Sequence, residues 1–68
     1  MEKVSITITM DDLERVLFAL DSYASEKRNI RNEYIRKNQL KDAEIFSQEI
    51  TKSEILREEL HKEYVSLL

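Results

Sequence analysis

The chain contains no cysteine, glycine, proline or tryptophan, and only one histidine in 68 residues. Without cysteine there is no disulfide framework, no thiolate nucleophile and no zinc–thiolate cluster, a pattern that suits a reducing cytosol. Without glycine or proline, tight turns with positive φ have no easy home, which favours long helices joined by few breaks. The longest apolar run, Val16 to Leu20, falls far short of the about 20 residues that cross a bilayer. The first residues also lack the basic and apolar regions of a secretory signal. These absences lead us to expect a soluble, cytoplasmic protein with no membrane partner.

Catalytic groups are equally scarce. There is no Ser/His/Asp set, no His pair and no glycine-rich phosphate loop. Glu58-Glu59-Leu60-His61 has the Glu-x-x-His spacing of di-iron helix bundles. Such sites need further glutamates facing inward, and neither apolar arc described below contains one. His61 is therefore read as a solvated side chain on a charged helix face. The expectation is a protein that is not an enzyme and holds no metal or cofactor.

What the chain does have is charge, and a change of period. Asp, Glu, Lys and Arg make up 37% of it, for a net charge of −3. Residues 11–24 set four acids against Arg15, residues 25–41 set six bases against two acids, and residues 42–63 set seven acids against three bases. A basic block thus lies between two acidic ones.

Val4, Ile6 and Ile8 alternate with Ser5, Thr7 and Thr9, the two-residue rhythm of a strand with one buried face. This predicts a strand over 3–9. A lone strand leaves both edges unpaired, so Val4, Ile6 and Ile8 are expected to form a dimer seam with the same strand of a second copy. Thr9-Met10-Asp11-Asp12 then matches a capping box, with Ile8 and Leu13 as a hydrophobic staple. Asp11, Asp12 and Glu14 set negative charge at the positive end of the helix dipole.

From Leu13 to Ile35 the apolar residues fall on one arc of about 140° at helical spacing, predicting a helix over 10–37. Asn38-Gln39 is the next break, since asparagine tolerates the left-handed conformation that ends helices. A second arc, from Ile45 to Leu67, predicts a helix over 40–66, with Ser53 and Arg57 inside the arc. The fold class expected is mainly α: a short N-terminal β-strand, then a long antiparallel αα-hairpin, dimerising through the strand and the hairpin face. Pairing about residues 38–39 sets Leu60 near Leu17, Tyr64 near Leu13 and Arg57 near Asp21. One continuous helix of about 88 Å at 1.5 Å per residue is the alternative. A third helix beginning at Thr51-Lys52-Ser53-Glu54 is a further one.

Phe18 points away from the apolar arc of its helix, and Ile55 and Val65 lie outside the arc of theirs. Such residues are either covered in a dimer or offered to a protein partner. Lys27, Arg28, Arg31, Arg36, Lys37 and Lys41 would gather at the hairpin tip. They either bind phosphate, nucleic acid or an acidic protein surface, or simply favour the C-terminal turns of their helix.

Lys3, Ser5 and Thr7, followed by the helix and by Asn32-Glu33-Tyr34-Ile35-Arg36, resemble ribbon-helix-helix repressors over residues 3–36. That resemblance implies a strand paired across a dimer, with Lys3, Ser5 and Thr7 sent into the DNA major groove. The Asp-Asp-Leu start, LFALDSY and the charged helical second half are similar to small uncharacterised proteins of bacteriophages and mobile elements. This second resemblance implies a stoichiometric regulator or inhibitor of a host protein. A protein–protein interaction module is the leading expectation, and a DNA-binding regulator the alternative.

Overall fold

A computed structural model describes residues 2–68. Two helices fill it: α1, Met10–Arg36, and α2, Leu40–Leu67. They fold back on each other as an antiparallel hairpin. The longest dimension is 44 Å, about half the length that one unbroken helix would need, so the rod is excluded.

The start of α1 is set by local chemistry. Thr9 is extended, at φ −77° and ψ 163°, and its Oγ1 accepts a hydrogen bond from the Asp12 amide at 3.1 Å. Asp11 and Asp12 occupy the first turn, where carboxylates face the positive end of the dipole. Replacing Thr9 by alanine is expected to cost about 1 kcal/mol. Chemical denaturation followed by circular dichroism would register the loss as a lower midpoint.

The turn is a Schellman motif. The Gln39 amide donates to the Tyr34 carbonyl at 2.8 Å, and the Asn38 amide to the Ile35 carbonyl at 3.0 Å. Asn38 sits at φ 59°, the one non-glycine residue with positive φ among those described. A short amide side chain is the next best occupant of this conformation after glycine. In a chain without glycine, this residue makes the hairpin possible.

The strand expected over 3–9 is not there: no residue among those described is in a strand. A strand exists only through the hydrogen bonds of its ladder, and neither helix offers an edge to pair with. Val4 and Ile6 are 83% and 79% exposed, so their alternation does not mark a face buried within the chain. Ile8 is partly covered and lines one groove with Leu13, Leu60 and Leu67. That placement explains the apolar residue at position 8 as a staple beside the helix cap, not as a strand residue. The fold class is corrected to a two-helix hairpin preceded by residues 2–9, which lie in neither helix nor strand; the strand pairing that motivated a dimer seam at Val4, Ile6 and Ile8 goes with it.

The core is thin. Leu13, Leu17 and Ala24 of α1 meet Ala43, Ile50 and Ser53 of α2, and these six are the buried residues among those described. Three are small, which lets the helix backbones approach closely. The buried Ser53 hydroxyl is satisfied by donating to the Glu49 carbonyl at 2.9 Å, the usual way a helix accommodates an interior serine. Near the tip, the Tyr34 and Phe46 rings stack with centroids 5.5 Å apart. No helix among the described residues is long and apolar enough to cross a membrane.

Candidate interaction surfaces

The two broad sides of the hairpin differ in chemistry. Glu14, Asp21 and Arg28 recur every seven residues along α1 and therefore share one flank at about 100° per residue. Each is bonded across to α2. The Tyr64 hydroxyl donates to Glu14 Oε1, Arg57 Nε donates to Asp21 Oδ1 at 2.8 Å, and Arg28 pairs with Glu54. The Arg57–Asp21 contact, expected from the hairpin register, accounts for a charge inside an apolar arc. These groups are partly solvated, so each ion pair contributes at most about 1 kcal/mol. The ladder fixes register more than it adds stability.

Among the described residues, Tyr64 is the group whose acidity its surroundings shift. Its phenol is held above the ordinary value of 10.0, first by the hydrogen bond to Glu14, then by partial burial and the charges of Glu14 and Asp11. Because the folded state holds this proton more tightly, its contribution is complete below the unfolded pKa and is lost as pH rises through the folded one. Tyrosinate absorbance should therefore contain a component titrating above pH 10.0 that is absent from Tyr64→Phe.

Phe18 lies beyond the ladder on α1 and is 74% exposed. It lines two adjoining shallow grooves, one with Asp11, Glu14 and Arg15, the other with Asp21, Arg57, His61 and Tyr64. The ring is thus an apolar anchor with a rim of both signs, Asp11, Glu14 and Asp21 set against Arg15 and Arg57. Ile55 is exposed elsewhere, in a groove between Thr51, Glu58 and Lys62, and Val65 is exposed near the end of α2. Phe18 and Ile55 therefore belong to separate surfaces. The rim of Phe18 as a whole was not legible beforehand, although Glu14 and Asp21 at i−4 and i+3 from Phe18 carry part of the signal.

The basic residues do not converge on one patch. Lys27 Nζ lies 5.0 Å above the Tyr23 ring and 5.9 Å from that of Phe46. Arg28 is committed to Glu54, and Arg36 to Glu33 at 2.7 Å. Arg31 is half-buried, its Nε without a hydrogen-bond partner among the described residues and its terminal nitrogen donating to Asn32 Oδ1 at 3.4 Å. Lys37 caps α1, and Lys41 stands exposed in the first turn of α2. Asn32 to Arg36, likened above to the start of a second helix, lies inside α1.

No group of three or more His, Asp or Glu side chains is placed to hold a metal among the described residues. His61 faces the Phe18 groove. No family model, no curated protein and no solved structure matches the chain.

Proposed function

We propose that this chain is a small, acidic, non-enzymatic protein–protein interaction module, a stoichiometric regulator or inhibitor that works as a homodimer. The observation that carries the reading is Phe18, a large aromatic ring left exposed on a regular helix and ringed by Asp11, Glu14, Asp21, Arg15 and Arg57. An aromatic anchor inside a polar rim is the usual composition of an interface hot spot. The rim carries both signs, with Glu14 and Asp21 already bonded to Tyr64 and Arg57, so it suits a partner that offers an apolar pocket ringed by polar groups. Such a module acts by occupying a surface of its partner, which requires no catalytic group.

The test is capture of partners from the source cell by wild type and by Phe18→Asp, followed by binding measurements on the purified partner. A hot-spot aromatic predicts that affinity falls by about 100-fold, with helicity unchanged because the ring is exposed. Equal binding by Phe18→Asp overturns the reading. Steeply salt-dependent binding to duplex DNA, lost in Lys3→Ala, would overturn it in favour of a DNA-binding regulator. No observation among the described residues favours that second reading, since the strand it requires is absent.

A further inference from the structure

The side of the hairpin opposite the ladder has a different make-up. Val16, Tyr23 and Ile30 also recur every seven residues along α1, but two positions on from Glu14, Asp21 and Arg28. At about 100° per residue, that shift of two carries them to the other flank of the helix contact. Across from them, α2 contributes Leu56 and Ile45, with Glu49 accepting a long hydrogen bond from the Tyr23 hydroxyl at 3.5 Å. Val16 and Tyr23 are each 37% exposed, and Leu56 and Ile45 more so. Lys27 is drawn over the Tyr23 ring, leaving its aliphatic stem along the apolar row. One side of the hairpin is therefore laced by polar bonds, and the other is an unfinished hydrophobic layer.

We infer that a second copy of this chain covers that side, with α1 lying antiparallel on α1 of the second copy. The homodimer itself belongs to the reading above; the face and the orientation are new. Three observations select this occupant. First, the hairpin is one layer thick, 44 × 25 × 14 Å, whereas domains are built from two packed layers. Second, a face of 44 by 25 Å exceeds the about 800 Å² that a stable interface takes from each partner.

Third, the charge on α1 is polarised. Within α1, residues 11–24 carry a net −3 and residues 25–36 a net +2, from Lys27, Arg28, Arg31 and Arg36 against Glu26 and Glu33. An antiparallel α1 pair sets the acidic half of each copy over the basic half of the other, whereas a parallel pair sets like over like. The apolar row has matching symmetry. Tyr23 is its midpoint and sits at the two-fold axis, so Val16 of one copy meets Ile30 of the other. Two such hairpins make a four-helix bundle whose ladder faces, and Phe18 with them, remain free for the partner.

The chain has no cysteine, so single cysteines report the geometry directly. Sedimentation equilibrium on the full chain should give twice the 8.1 kDa chain mass. Val16→Glu should weaken self-association by about 100-fold by placing a charge in the seam. With a short bismaleimide, Tyr23→Cys should cross-link to itself. Val16→Cys should cross-link to Ile30→Cys in a mixture, but not to itself. A monomer at all concentrations overturns both this inference and the homodimer in the reading above. A dimer that cross-links through Phe18→Cys but not through positions 16 and 30 overturns only the face. Self-linking of Val16→Cys at the rate of the mixed pair overturns the orientation. If Val16→Glu fails to fold, the cysteine variants still decide the matter, because they remove no more than a partly exposed side chain.

Discussion

Replacing Ile50 by alanine is expected to destabilise the hairpin by about 3 kcal/mol, while Ile55→Ala on the same helix shifts stability by less than about 0.5 kcal/mol. The two residues are identical and five positions apart, yet Ile50 is 4% exposed and Ile55 is 56% exposed. Ile50 is the largest of the three residues that α2 buries against α1; the other two are Ala43 and Ser53. Truncating it removes its transfer free energy and leaves a void that small neighbours cannot fill. A chain of this length holds only about 3–10 kcal/mol in all, so the variant should be largely unfolded at modest denaturant. Equal midpoints for the two alanine variants in urea, read by circular dichroism, would mean that the helices do not meet as described.

The second large effect is at the turn. Asn38→Val is expected to cost about 1–2 kcal/mol, because a β-branched residue clashes in the left-handed conformation. Asn38→Gly should stay within about 0.5 kcal/mol of the wild type, since glycine accepts the same conformation without a Cβ. The contrast isolates backbone conformation from side-chain contacts. If valine and glycine behave alike in thermal unfolding, the positive φ of 59° is not what closes the hairpin.

Parts of this architecture could be read from the residues alone, and the reasons are local. Thr9 and Asp12 spell a cap because the bond they make spans three residues. Asn38 was legible as a helix stop because its chemistry suits αL in isolation. Arg57 inside an apolar arc pointed across to Asp21 once two helices of similar length were placed about a common turn. The strand misled because three alternating residues satisfy a period of two without any partner to pair with, and Ile8 was already accounted for by the staple. Ser53 was an oddity in sequence and makes sense only in space: the hairpin register brings it level with buried Ala24, where a larger side chain would force the helices apart. Of the Phe18 surface, the exposed ring was legible, and Glu14 and Asp21 at i−4 and i+3 carried part of its rim. The rest needs Arg57, His61 and Tyr64 from α2, which no spacing along α1 reveals.

The conformation of Asn38 has a further consequence for how many chains share one core. Every cross-helix pair in the ladder joins residues at nearly equal distances on either side of the turn: Glu14 with Tyr64, Asp21 with Arg57 and, offset by about one helical turn, Arg28 with Glu54. A chain opened at residue 38 would find the same partners, in the same register, on a second opened chain lying antiparallel to it. Closed and exchanged forms would then have the same inter-helix contacts and differ only at the hinge and in the entropy of association. The short connection keeps the arms of one chain at an effective concentration on the order of millimolar, which holds the closed form at ordinary dilution. A substitution that penalises φ 59° removes that preference, so Asn38→Val should populate domain-swapped dimers as protein concentration rises, and Asn38→Gly should not.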